Sequence, residues 1–150
     1  MSANLSLEQR IQRLEDVEAI KKIQATYGHY VNRGWNDKVM FYKKVTAMFT
    51  EDATWEAPAM GVLAQGRGEI SEMFEDMSAS NEFFMHSFSN PIIDIGGDTA
   101  KAQWLLLLGG NFEDKTTLTY ASYDNDYVRT SQGWLIKAIR LYIARVLEAS

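Results

Sequence analysis

The chain has no cysteine, only two prolines and two histidines, and no apolar run longer than Trp104 to Leu108. Without cysteine there are no disulfides, thiol nucleophiles or thiolate metal sites, although the compartment stays open on that ground alone. Five apolar residues are far too few to span a bilayer. Lys and Arg total 15 against 20 Asp and Glu, a net charge of −5, so there is no basic footprint for nucleic acid or an anionic membrane. The opening Met1-Ser2-Ala3-Asn4-Leu5-Ser6 lacks a charged n-region and an apolar h-region. No signal peptide is read there, and the cytoplasm is the expected compartment. The two histidines do not have metal-ligand spacing and no carboxylates cluster around them in sequence, so no metal and no other cofactor is expected.

What is present is an ordinary globular composition, 46% hydrophobic and 23% charged, over 150 residues. That length predicts a single domain, 1–150, with a real core. Aromatics at 12% and seven methionines point to an adaptable apolar interior.

Ser6 with Gln9 has capping-box spacing. Behind it Leu7, Ile11, Leu14, Val17, Ile20, Ile23 and Tyr27 recur every three or four residues, predicting an amphipathic helix that ends by Gly34, with a break near Leu14 to Asp16. Asn36 or Asp37 is positioned to cap a second helix carrying Val39, Tyr42, Val45, Met48 and Phe49. Thr54 to Ala57 reads as a short strand before Pro58, Gly66-Arg67-Gly68 as a turn, and Glu69 to Met77 as a third helix. The Gly-x-Gly lacks a third glycine and a preceding long strand, so no dinucleotide loop is read. From Glu82 onward the runs 82–89, 91–95, 100–108, 116–129 and 133–146 read as strands, with hairpin turns at Gly96-Gly97-Asp98 and Ser131-Gln132-Gly133. Helices first, then neighbouring strands joined by short turns, predict an α+β fold with an antiparallel sheet.

One strand holds an ionisable group of interest. Phe84, His86 and Phe88 share a face, since strand side chains alternate. An imidazole between two phenyl rings is partly desolvated, and it is the side chain whose charge changes near neutral pH. It reads either as a proton-transfer group or as a core histidine with ordinary partners. Trp104 to Leu108 is apolar on both faces, which predicts cover on the outer side, by a second subunit or by a loop. On the last strand, Trp134, Ile136, Ala138, Arg140 and Tyr142 share a face if alternation is unbroken. Arg140 would then be a fixed cation among apolar side chains, either holding an anion or ion-paired with an early helix acid or the C-terminus. Asp124 and Asp126 point outward if Tyr123 points inward. His29, two residues beyond Tyr27, lies on another side of the helix.

From Leu14 to Leu147 the chain resembles the SnoaL-like branch of the NTF2-like superfamily. Asp16-Val17-Glu18-Ala19-Ile20 with Tyr27, Phe49 to Trp55, Gly66 to Ile70, Met85-His86, Asp126 to Arg129 and Gly133 to Ile136 carry the resemblance. It implies a cone-shaped α+β barrel in which N-terminal helices pack into a curved antiparallel or mixed sheet. The fold hosts many activities. The nearest likeness is to cofactor-free lyases: scytalone dehydratase, hexachlorocyclohexane dehydrochlorinase and bile-acid 7α-dehydratase. In these a strand histidine is the base and a first-helix aspartate orients it. The resemblance makes His86 the base and Tyr27 a pocket-facing polar residue. Arg140, Trp55 and Tyr123, together with the Phe84 and Phe88 flanking the histidine, become substrate-binding. The aspartate position falls on Asn32, which can accept a hydrogen bond but brings no charge.

Three functions follow. The first is a cofactor-independent dehydratase- or isomerase-type lyase for a small apolar, aromatic or polycyclic oxygenated substrate. The second is a non-catalytic binder of a small hydrophobic ligand. The third is a small subunit of a larger complex. A homodimer or homotrimer associating through the sheet is the expected assembly for the first two, and a stable homodimer argues against the third.

Overall fold

A computed structural model of the chain describes residues 4–149. Ser6 caps the first helix as its spacing predicts, accepting from the Gln9 backbone while Gln9 accepts from the Ser6 backbone. This helix, α1 (Leu7–Val31), is continuous, with no break at Asp16. Its buried stripe follows the expected one at Ile20, Ile23 and Tyr27 but not in the first turns. Asp16, Ile20, Gln24, Tyr27, Gly28 and Val31 are buried, while Leu7, Ile11 and Leu14 are exposed. The first turns therefore have the right periodicity but nothing packed against them among the described residues.

The second helix, α2 (Tyr42–Thr46), is far shorter than its spacing predicts. Asn36 and Asp37 both take positive φ (48° and 56°), so they form a left-handed turn instead of starting a helix. The strand expected at Thr54 begins earlier, giving β1 (Phe49–Ala57), followed by a short 3-10 turn, β2 (Val62–Gln65) and α3 (Gly66–Ser80). The remainder is strand: β3 (Phe84–Gly96), β4 (Thr99–Phe112), β5 (Lys115–Thr130) and β6 (Gly133–Glu148). The two runs expected at 82–89 and 91–95 are one strand with a register shift between Ser89 and Ile92, around Pro91. Proline is tolerated there because β3 is an edge strand.

The six strands form one sheet in the order β2-β1-β6-β5-β4-β3, antiparallel except where β1 and β6 run parallel. The fold is the expected α+β cone. The core lies between the helices and the concave face, where Ile20, Tyr27, Phe49, Trp55, Phe74, Trp104, Leu106, Tyr123, Tyr127 and Ile136 are buried. The convex face of β4 and β5 is open, with Leu105 51% and Leu107 44% exposed and Leu118 and Tyr120 beside them. Among the described residues no helix is long and apolar enough to cross a membrane.

The last strand corrects one expectation. Between Asp126 and Tyr127 on β5 the pairing with β6 slips, leaving Lys137 as an extra residue. Ala138 and Ile139 are consecutively buried, and beyond that point Ile139 and Leu141 face the core. A one-residue slip moves every later side chain to the other face. Arg140 consequently points outward, where its Nη2 donates to Asp126 Oδ2 at 2.9 Å. The bulge keeps a charge out of the apolar face. Its partner is neither an early helix acid nor the C-terminus.

Candidate active site

The end of α1 and the start of β3 are clamped by a pair of main-chain hydrogen bonds between Arg33 and Phe84, at 3.0 and 3.1 Å. Gly34, with φ at +101°, runs against the Glu82 carbonyl, where an added Cβ would sit 2.5 Å away. Only glycine lets the chain turn this closely. The clamp puts Asn32, the C-cap of α1, directly beside His86.

Asn32 Oδ1 accepts twice from His86: from the backbone N–H at 2.7 Å, and at 3.1 Å from the ring nitrogen Nδ1. The backbone donor requires an oxygen at that position. That oxygen requires a hydrogen on Nδ1. The imidazole is therefore held as the Nδ1–H tautomer, and Nε2 keeps its lone pair. Among the described residues no side chain bonds to Nε2, and no carboxylate reaches the ring.

The ring sits among Phe84, Phe88 and Tyr27, with centroid distances of 5.9, 6.1 and 6.5 Å. Burial among them lowers the histidine from its ordinary 6.5 to about 3. His86 is half-buried overall because one edge faces a cavity.

That cavity has a volume of about 470 Å³ and is mainly apolar, its walls including Val31, Phe74, Phe84, Leu106, Leu141 and Ile143. Three methionines, Met40, Met60 and Met77, also line it. Trp55, Tyr27 and Tyr123 face it together. The indole N–H of Trp55 donates to the Tyr27 hydroxyl at 3.1 Å, and the Tyr27 and Tyr123 hydroxyls are 3.2 Å apart. One phenol hydrogen occupies the gap between the two oxygens. The other has no protein acceptor among the described residues, so one hydroxyl hydrogen of this cavity-lining pair is left without a protein partner. Burial raises both phenols. Tyr27 is pushed up to about 12 against the opposing hydrogen bonds from Tyr123 and Trp55, and Tyr123 is also well above its ordinary value, so both keep their protons.

Of the expected site residues, His86, Tyr27, Trp55, Tyr123 and Phe84 converge on the cavity. Asn32 stands behind His86. Phe88 does not line the cavity and packs beneath it, 5.0 Å from the Tyr123 ring and 6.4 Å from Trp104. Arg140 is outside, on the convex face. Asp126, expected outward, binds Lys101 and Arg140 there, and their hydrogen bonds outweigh burial to hold its carboxyl low. His29 is exposed. The sequence reading made Tyr123 only a wall and missed its hydroxyl pairing. It also overlooked Gly28, a buried glycine inside a helix, which is itself a flag. Among the described residues that line the cavity the charged side chains are Glu113, Lys115 and Glu148, with Lys115 paired to Glu148. Among the described residues no group of three or more His, Asp and Glu could hold a metal ion.

Solved structures share this architecture. A candidate aromatic ring hydroxylase from Novosphingobium aromaticivorans is 24% identical with a TM-score of 0.81, covering 91% of this chain and 94% of its own. A candidate scytalone dehydratase from the same organism is 20% identical with a TM-score of 0.78, covering 92% and 90%. Hexachlorocyclohexane dehydrochlorinase type 3 from Novosphingobium barchaimii is 15% identical with a TM-score of 0.81, covering 94% of each. At these identities the likeness is one of fold. No curated protein matches the chain significantly. Residues 12–140 match the SnoaL-like domain, and on that match the chain belongs to the SnoaL-like family.

Proposed function

We propose that the protein is a cofactor-independent lyase of the dehydratase or isomerase type, acting on a small, neutral, apolar substrate that carries a carbonyl oxygen. The observation that carries this reading is the pairing of a free imidazole acceptor, Nε2 of His86, with an unsatisfied phenol donor in the same apolar cavity. Two similar structures bear the names of enzymes that eliminate water or hydrogen chloride.

In a dehydration, His86 Nε2 takes the proton next to the substrate carbonyl, and the C–H electrons form an enolate. The free hydroxyl hydrogen of the Tyr27–Tyr123 pair bonds the enolate oxygen. With phenols pushed up in pKa it stays a hydrogen-bond donor and is not consumed as an acid. The β-hydroxyl then departs, taking the proton from Nε2 to leave as water, and the imidazole is restored. Asn32 fixes the tautomer throughout. Trp55, Tyr123, Phe84 and the methionines enclose the hydrocarbon part.

In the empty cavity, a histidine lowered from 6.5 to about 3 is a base weaker by about 5 kcal/mol. The enolate formed beside the imidazolium offsets much of that by direct attraction in a medium of low dielectric. The reaction must still start from an activated C–H, next to a ketone or a conjugated ring. Among the described residues an anionic group on the substrate meets no free cation, since Lys115 in the cavity lining is paired with Glu148 and Arg140 is bound to Asp126 on the opposite face.

The test is turnover of a neutral bicyclic β-hydroxyketone, followed by absorbance of the conjugated product. His86→Ala is expected to reduce kcat about 10²–10⁴-fold. Retention of full turnover by that variant rules out the role given to His86. The absence of a charged helper for His86 favours a second reading, a non-catalytic binder in the same cavity. Under it the bicyclic ketone binds, no variant alters its chemistry, and Asn32→Asp gains nothing.

A further inference from the structure

Gly28 is buried in the last turns of α1, and glycine is a poor helix former, second only to proline. Something at this position has to offset that cost. An added Cβ would meet Phe88 Cε2 at 3.3 Å, Phe88 Cδ2 at 3.5 Å and His86 Cβ at 3.7 Å. The bare helix backbone is thus the surface on which β3 rests at the residues that carry the imidazole. The Gly28 carbonyl also accepts the backbone N–H of Asn32 at 3.1 Å, holding the C-cap whose side chain binds His86.

Whether the strand could tolerate a methyl group here depends on whether Phe88 can move. Its ring is backed by Tyr123 at 5.0 Å and Trp104 at 6.4 Å, and flanked by Tyr27 and His86 at 6.1 Å each. Packed rings of this kind do not yield independently. Relief would come from a shift of β3 itself, which carries His86 away from Asn32. The bonds that would stretch are the 2.7 and 3.1 Å contacts to Asn32 Oδ1.

We propose that Gly28 is a positioning residue: its missing side chain sets the separation of α1 and β3 at which one amide oxygen holds the backbone N–H and the ring Nδ1 of His86 and fixes the imidazole tautomer. The chemical use of that tautomer rests on the lyase reading above. The positioning itself does not, and can be read without a substrate.

The experiment is long-range 15N NMR of the imidazole in the wild-type chain, in Gly28→Ala, and in Gly28→Ala combined with Phe88→Leu. Far-ultraviolet circular dichroism confirms folding in each. The wild type should show a single neutral His86 with a protonated Nδ1 and a bare Nε2. Gly28→Ala should show mixed tautomers, with exchange of the Nδ1 hydrogen about tenfold faster or more. Phe88→Leu removes the ring atoms that the new methyl meets, and the double variant should recover the wild-type pattern. A folded Gly28→Ala with the wild-type imidazole signals overturns the proposal. So does a double variant that fails to recover them, since the loss would then not run through Phe88. If Gly28→Ala does not fold, the folded double variant and Phe88→Leu alone decide the matter by the same signals. Altered tautomers with unaltered turnover would instead count against the lyase reading and leave the positioning role standing.

Discussion

A histidine bonded to an amide and one bonded to a carboxylate can hold the same tautomer, yet they differ once a proton arrives. The carboxylate stabilises the imidazolium, whereas the Asn32 amide offers only its dipole. Burial among Phe84, Phe88 and Tyr27 then sets the balance, which is why His86 lies at about 3. Asn32→Asp should raise the imidazolium pKa by about 1–3 units by supplying an opposite charge. A wild-type imidazole whose 15N signals are constant above pH 5 should give way to one that titrates nearer neutrality, and turnover should rise with base strength. An unchanged titration would show that the residue at 32 does not govern the ring. At this scale the sequence disclosed residue types and faces: His86, Tyr27 and Trp55 could be read from periodicity and resemblance, together with the lack of an aspartate at 32. It could not disclose that Tyr27 and Tyr123, 96 residues apart, share a hydroxyl contact, because alternation tells which face a side chain takes and not which atom it meets.

Elements were legible where the hydrophobic pattern agreed with the turn chemistry, as in the Ser6 capping box, the hairpins at Gly97-Asp98 and Ser131-Gln132, and the strand face shared by Phe84, His86 and Phe88. They were misread where one residue broke the period. The bulge at Lys137 moved Arg140 from the core face to the outside, and positive φ at Asn36 and Asp37 removed half of a predicted helix. What anchors α1 to the sheet was also not legible. Asp16, 4% exposed, accepts from both terminal nitrogens of Arg129 on β5 at 2.8 and 2.7 Å and from the Trp134 indole at 3.2 Å, while Arg129 lies over the Trp134 ring. The Arg129 hydrogen bond holds the Asp16 carboxyl below its ordinary 3.8, with burial opposing. Asp16→Asn should therefore cost about 2 kcal/mol at neutral pH, read as a lower denaturant midpoint. The pH dependence has a definite sign. A depressed carboxyl contributes stability above its unfolded pKa and loses it as pH falls through the folded value, so this contribution disappears below about pH 4. His86 acts earlier: its folded pKa is below the unfolded 6.5, so unfolding gains a proton and stability declines from pH 6.5 downward. The wild type should lose stability in both stages, whereas Asp16→Asn should keep the first in full and lose less in the second, where Asp126 still titrates. Equal acid sensitivity in the two proteins would contradict the assignment.

As a whole the molecule separates its surfaces by chemistry. The concave side encloses a mainly apolar cavity in which the neutral polar groups of His86, Tyr27 and Tyr123 meet, and the charged residues described in its lining are Glu113, Lys115 and Glu148. The convex side carries the ion pairs of Asp126 with Lys101 and Arg140 in one zone and exposed leucines in another. The cone was readable in the sequence because the order of helices and long strands allows few arrangements. The contents of the cavity were not, since they depend on which side chains the curvature brings together. In the proposed reaction Nε2 of His86 removes a proton from a carbon in that cavity. The most direct measurement is deuterium incorporation next to the carbonyl of β-tetralone, a neutral bicyclic ketone, in heavy water. The wild-type protein should accelerate the exchange well above buffer, and His86→Ala should lose about 10²-fold or more of that acceleration. Exchange at the wild-type rate in His86→Ala, or no acceleration by a wild-type protein that binds the ketone, would contradict it.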